Sequence, residues 1–257
     1  MRLHRFFCPE PVGSRSELTF RSNELVDQLR RVLHIKIGED VIIFDGSGSD
    51  YRCAVARFDG ADRVVLDVRE TSRSRYMPMR KLFLYGAVVK KDNFEFIVEK
   101  ATELGVTDII PVIAERSEKK AVNMERLNKI AIEASEQSGR GDVPVVHSTI
   151  SFKEAIDEAR STNNGEIRNS NIEIRNKSES QNTKLKTIAF HTEGDYFNPE
   201  TISNNEPIAI FIGPEGGWSP DEIAMFHAND IVTLCLGRQV LRTETAVIAA
   251  LSRVVFD

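Results

Sequence analysis

Two glycine-bearing turns near the carboxyl end, each set between an apolar strand-like run and a helix start, restrict the fold of this chain more than any other feature. Ile208-Ala209-Ile210-Phe211-Ile212, bounded by Pro207 and Gly213, is apolar throughout. That is the pattern of a strand buried on both faces of a parallel sheet. Gly213-Pro214-Glu215-Gly216-Gly217 follows, and Ser219-Pro220-Asp221-Glu222 then supplies the N-cap serine, first-turn proline and N3 glutamate of a capping box. The three glycines around Glu215 permit positive φ and close backbone approach by a ligand. A plain tight turn accounts for one or two glycines but not for a carboxylate held between them. The pattern repeats in Ile231–Leu236, broken by Gly237, with a run from Thr243 to Phe256 that is apolar almost all round. Such a helix is expected to be buried against a sheet, another helix or a second subunit. Two such turns close together predict one pocket in which backbone amides meet a ligand's polar groups. Arg242 and Glu244 stand either at its mouth or in a helix-end ion pair.

Upstream the chain divides unevenly. As far as about residue 75, short strand-like runs (Val41–Phe44, Cys53–Phe58, Val64–Val68) alternate with turns such as Asp45-Gly46-Ser47-Gly48, as in a small β-rich domain. From Leu82 strands and helices alternate: Leu82–Val89, Asp108–Ile113 and Val143–His147 as strands, Asp92–Leu104, Met124–Ser138 and Phe152–Ala159 as helices. Alternation of this kind predicts a mostly parallel sheet with helices on its faces, where ligands gather at the carboxyl ends of the strands. The expected division is 1–75 and 76–257. Residues 161–186, rich in Asn, Ser, Glu and Lys with Glu-Ile-Arg-Asn occurring twice, read as a disordered surface insertion before the strand Thr187–Phe190.

Several chemistries are excluded. The three cysteines are odd in number, widely spaced and without CxxC pairing, which argues against a disulfide framework or zinc site and fits a reducing cytoplasm. No GxxxxGK[ST], GxGxxG, HExxH or GxSxG occurs, and the five histidines show no metal-ligand spacing. No apolar run approaches membrane-spanning length, and the first residues are too short and polar for a signal peptide. The net charge of −5 confines any nucleic-acid footprint to local patches. Residues 1–36 hold seven cations, among them Arg2, Arg5, Arg30 and Arg31, against four anions. That segment reads equally as an RNA contact or as scattered surface charge.

The two carboxyl-terminal segments, Gly213–Glu222 and Leu236-Gly237-Arg238-Gln239-Val240-Leu241-Arg242-Thr243-Glu244-Thr245-Ala246, together resemble the signature of the bacterial 16S ribosomal RNA uracil-N3 methyltransferases of the SPOUT superfamily. Further matches are Lys100–Val106, Ile110-Pro111, Glu115-Arg116-Ser117, Ile132–Arg140 and Val143-Pro144, with Arg5-Phe6-Phe7 and Val41–Gly46 near the start. The resemblance spans nearly the whole chain in order, and Gln239-Val240 replaces a more usual Arg/Lys-Ile pair. It implies an α/β fold: a knotted SPOUT (trefoil knot) methyltransferase domain with a small amino-terminal PUA-like β-barrel for RNA.

The resemblance also implies S-adenosylmethionine as cofactor, no metal, a homodimer, and small-subunit ribosomal RNA or the assembled small subunit as partner. His191, Thr192, Glu193, Ile212, Gly213, Gly216, Gly217, Leu236, Gly237 and Leu241 are then expected around the cofactor, with His191-Thr192-Glu193-Gly194 as a third turn. Glu136-Gln137 belongs near the RNA. Methylation of uracil N3 needs loss of the N3 proton and in-line attack on the sulfonium methyl, so positioning and proton removal dominate. Glu215 or Glu244 would serve as base, and Arg242 would stabilise the uracil anion or a phosphate. A catalytically silent RNA-binding protein on the same fold predicts decayed glycine turns. A small-molecule methyltransferase needs no basic amino-terminal domain, and a different RNA target remains open.

Overall fold

The computed structural model describes residues 3–118, 121–163, 185–202 and 206–256. The chain forms two compact units, Met1–Met77 with Ser135–Val143, and Pro78–Ala134 with Pro144–Asp257.

In the first unit, β1 (Arg5–Phe7), β2 (Glu17–Arg21), β3 (Asp40–Phe44), β4 (Ser49–Asp59) and β5 (Arg63–Arg73) make one sheet in the order β1-β3-β4-β5-β2. Only β1 and β3 pair in parallel. Alternation along the strands sends Phe6, Leu18, Val41, Ile43, Val55, Val64 and Leu66 into one apolar core. Helix α1 (Asn23–Asp27) starts at Ser22, whose hydroxyl accepts from the Leu25 amide, and it continues as a π-helical turn over Gln28–Val32. Its Val26 and Leu29 close one side of that core. The thiols of Cys8 and Cys53 lie in this core. Burial pushes Cys53 up to about 12 and raises Cys8 as well, so neither is a thiolate nucleophile near neutral pH.

The loop after β3 is held by Asp45, which is 7% exposed. One carboxylate oxygen accepts from the Val12 amide at 2.7 Å and the Tyr51 hydroxyl at 3.4 Å, the other from the Ser47 amide at 3.0 Å. Burial works to raise its pKa, but these hydrogen bonds outweigh it and hold the carboxyl below its ordinary value.

The second unit carries seven strands, all paired in parallel: β6 (Leu82–Ala87), β7 (Asp108–Ile113), β8 (Val145–Val146), β9 (Ile150–Ser151), β10 (Lys186–Tyr196), β11 (Ile208–Ile212) and β12 (Val232–Cys235). Their order is β12-β10-β11-β6-β7-β8, with β9 also on β7. The helices are α2 (Lys91–Glu103), α3 (Met124–Ser138), α4 (Phe152–Asn163), α5 (Pro220–Ala228) and α6 (Thr243–Val255). As the continuous apolar run predicts, every residue of β11 is buried. One core cluster is aromatic. Tyr85 stacks on Phe211 at 4.4 Å, and Phe226 meets Phe152, Phe211 and Trp218 edge to face.

Two expectations need correction. Of the stretch 161–186, residues 164–184 lie outside the described residues; its first three residues complete α4, and its last two are the buried Leu185 and the start of β10. The supposed turn His191–Gly194 is strand. β10 runs on to Tyr196, and a register shift against β12 between Phe190 and Asp195 absorbs the extra residues.

Replacing Asp45 with Asn should cost about 1.5–3 kcal/mol, because charge-assisted bonds from buried donors are lost. The folded pKa is depressed, so its contribution is present above the ordinary carboxylate range and fades as pH falls through the folded value. Denaturant unfolding from neutral to acid pH should show a shallower acid loss in the Asn variant than in the unmodified protein.

Candidate active site

A cleft of about 550 Å³, with its solvent-side space included, opens at the carboxyl ends of β11 and β12 and beside the middle of β10. Its size suits a small organic ligand. Phe190, His191 and Thr192 line it from β10, Ile212, Gly213, Pro214, Gly217 and Trp218 from the turn after β11, and Leu236, Gly237, Gln239 and Leu241 from the turn after β12. Thr243 and Ala246, in the first turn of α6, complete the wall. Most of the expected cofactor residues therefore come together. Glu193 and Gly216 do not line the cleft, and Glu193 is exposed.

Hydrogen bonds between distant residues hold the three edges at fixed separation. The buried indole of Trp218 donates to the Phe190 carbonyl at 3.0 Å, tying the β11 turn to β10. The Thr243 hydroxyl donates to the Gly213 carbonyl at 3.0 Å, tying the same turn to α6. Within the turn, the Gly217 amide reaches the Pro214 carbonyl at 2.8 Å. The capping box forms as the sequence predicts: the Ser219 hydroxyl accepts from the Glu222 amide at 3.3 Å, and the Glu222 carboxylate accepts from the Ser219 amide at 2.8 Å.

The glycines serve different purposes. Gly217 has φ +68, a backbone that side chains disfavour, whereas Gly213 and Gly216 are outside that region. A Cβ on Gly213 would lie 3.1 Å from the Trp218 ring, and one on Gly216 would lie 3.3 Å from the Arg116 Cβ. At Gly216 the constraint is thus a neighbouring side chain, not a forbidden φ. At Gly217 and Gly237 a Cβ would meet no atom within 4 Å. Their bare backbone leaves cleft space that a ligand can take up, and apolar Ile212, Leu236 and Leu241 frame it. This composition fits a nucleoside-bearing cofactor such as S-adenosylmethionine.

The expected catalytic side chains are arranged around the rim. Glu215 and Arg242 are exposed; Arg242 is the N-cap residue of α6 and makes no side-chain capping bond. Glu244 is partly buried, and its Oε2 has no hydrogen-bond partner among the described residues. An acceptor without a donor at such a place is unusual and leaves it able to receive one.

The expected RNA residues fall into two kinds. Arg5 is not the open cation its sequence suggests. Its side chain is 8% exposed, it makes two bonds of 2.7 and 2.8 Å to Asp50, and it donates to the Arg140 carbonyl. Glu136 accepts from the Phe7 amide at 2.9 Å. Gln137 is exposed. Arg30 and Arg31 are also exposed, the first 5.1 Å over the Phe58 ring and the second in a solvated pair with Asp27. Arg2 lies outside the described residues. Sequence reading missed Phe190, Pro214, Trp218, Gln239, Thr243 and Ala246 as cleft residues. All but Phe190 lie inside the two quoted segments, and Phe190 ends the expected strand Thr187–Phe190.

Gly217→Ala should destabilise the fold by about 1–2 kcal/mol through its left-handed backbone. Gly237→Ala, with an ordinary backbone and open space, should leave stability within about 0.5 kcal/mol yet weaken ligand binding, since its methyl group enters the cleft. Denaturant unfolding and S-adenosylmethionine calorimetry on both variants separate the two effects.

Ribosomal RNA small subunit methyltransferase E of Rickettsia conorii is 27% identical over 256 residues, covering 99% of this chain and 96% of that protein. The protein of the same name from Bacillus subtilis is 28% identical over 242 residues, covering 92% and 89%. A crystal structure of ribosomal RNA small subunit methyltransferase E from Neisseria gonorrhoeae bound to S-adenosyl methionine superposes with a TM-score of 0.81 at 26% identity, covering 98% and 96%. The RNA methyltransferase domain model matches residues 76–255, which include every strand of the parallel sheet and the cleft at its end. The chain belongs to the RNA methyltransferase domain family.

Proposed function

We propose that this protein transfers a methyl group from S-adenosylmethionine to N3 of a uridine in small-subunit ribosomal RNA. The observation that carries this reading is the cleft of bare glycine backbone at the carboxyl ends of β11 and β12 and beside β10, on a chain similar over nearly its full length to small-subunit ribosomal RNA methyltransferases. Gly213, Gly217, Leu236, Gly237 and Leu241 hold the cofactor, with His191 and Thr192 on the β10 side. When bound, S-adenosylmethionine supplies an electrophilic methyl group. The protein's own task is to hold an unpaired uracil in line with it and remove the N3 proton. Glu244 and Glu215 are the two carboxylates available as base. Glu244 is favoured by its partnerless oxygen. Arg242, free at the rim, balances charge on the uracil anion or a flanking phosphate.

The finer architecture belongs to the same proposal. Threading of the carboxyl-terminal segment into a trefoil knot is supported by the placement of β11 between β6 and β10 and by the packing of α6 on α2 and β11. The five-stranded first unit serves as the PUA-like RNA-binding barrel, with Arg30 and Arg31 as its phosphate contacts. Exposed Val255 and Phe256 at the end of α6 favour a homodimer. Ribosomal RNA as substrate puts the protein in the cytoplasm. No helix of the described residues is long and apolar enough to cross a membrane, and no cluster of potential metal ligands occurs among them.

Mass-spectrometric mapping of small-subunit RNA from cells lacking the protein should show one methyluridine missing, restored by the unmodified gene and not by Glu244→Gln. An unchanged modification map would overturn the proposal. Neutralising Arg30 and Arg31 should flatten the salt dependence of RNA binding by roughly one unit of slope per contact, without altering cofactor affinity. Equal slopes for variant and unmodified protein would move the RNA contacts elsewhere.

A further inference from the structure

The turn after β7 carries Glu115-Arg116-Ser117, a motif to which the proposed reaction assigns no role. It is a closed, rigid piece of chain: the Ser117 amide bonds the Ala114 carbonyl at 3.1 Å, and the Ser117 hydroxyl accepts from the Ala114 amide at 3.2 Å. From this platform two donors reach across to the segment Gly216–Glu222. The Glu115 amide donates at 2.8 Å to Glu222, whose other carboxylate oxygen holds the Ser219 amide. Glu222 is 4% exposed, so both bonds are shielded from water. Beside it, Arg116 Nη1 donates to the Gly216 carbonyl at 2.8 Å and the Trp218 carbonyl at 3.3 Å.

We infer that Arg116 is a positioning residue for the cofactor: it fixes the Gly213–Trp218 turn in its binding conformation without itself lining the cleft. Three observations support this. The two carbonyls it holds bracket Gly217, the turn's one left-handed residue, where the chain is free to rotate into other conformations unless held on both sides. Gly216 gives its guanidinium arm room, since a Cβ there would lie 3.3 Å from the Arg116 Cβ and 3.4 Å from its Cδ. Trp218, the second residue held, contributes its ring to the cleft wall and its indole to Phe190. Both bonds come from one nitrogen of a planar guanidinium, which is held in orientation more firmly than the compact ammonium of a lysine on its flexible stem.

The inference rests on the cleft being the S-adenosylmethionine site, and the test separates the two. Trp218 is the sole tryptophan, so intrinsic fluorescence reports directly on this turn. In the unmodified protein, S-adenosylmethionine should change the Trp218 emission saturably. No change, with no heat in calorimetry, would remove the cofactor reading itself. Given binding, Arg116→Ala should weaken it roughly tenfold, the loss of about one charge-assisted hydrogen bond. It should also shift Trp218 emission in the ligand-free protein, raise the KM for S-adenosylmethionine, and leave kcat at saturating cofactor within about twofold. Arg116→Lys should recover part of the affinity, and it serves as the reading if the Ala variant does not fold. Unchanged affinity in the Ala variant, or in the Lys variant where only that one folds, would overturn the inference. So would a fall in kcat at saturation with KM unaltered.

Discussion

The hydrogen bond from the Trp218 indole to the Phe190 carbonyl is the constraint on which the cleft depends. It ties the turn after β11 to the middle of β10, at the point where the pairing of the two strands stops at Phe190 and Ile212. The same side chain belongs to the aromatic cluster around Phe226, so the cleft wall inherits the rigidity of the core. A buried indole N–H must find an acceptor. Supplying one within β10, where its pairing with β11 stops, turns a packing residue into a spacer between that strand and the β11 turn.

From this anchor the other links take their meaning. Thr243 brings the start of α6 to Gly213, and the Glu222 carboxylate closes both the helix cap and the neighbouring loop. Each satisfies a polar group at a strand end or helix start, where the regular ladders have no partner to offer. The cleft is thus made from the leftover hydrogen-bonding capacity of a parallel sheet. That is the physical reason ligands collect at this edge of such folds.

Local features were legible in the sequence. The capping box Ser219–Glu222, the strand Ile208–Ile212 and the helix Met124–Ser138 each announce themselves within a few residues, and the structure has all three. What escaped were pairings across the chain. Thr243 and Gly213 are 30 residues apart, Trp218 and Phe190 are 28, and Glu222 and Glu115 are 107. Arg5 read as an open cation because its partner Asp50 is 45 residues away. His191–Gly194 is expected as a third turn from the resemblance and not from a local pattern. In the structure these residues extend β10, which lies between β11 and β12, through a register shift against β12. The α/β character and the parallel sheet came from alternation, whereas the cofactor and substrate class came from the resemblance of whole segments.

The strand order carries a consequence for how the molecule is made. β11 lies between β6 and β10, yet both of its neighbours precede it in the chain. The central strand of the sheet therefore arrives last of the three and must enter between edges already synthesised, pairing Ile208–Ile212 with Leu82–Gly86 across more than a hundred residues. Contacts so distant in sequence are slow to form, because the loop entropy is paid before any pairing repays it. The cleft cannot be completed until the turn after β12 and the start of α6, through Ala246, have been synthesised.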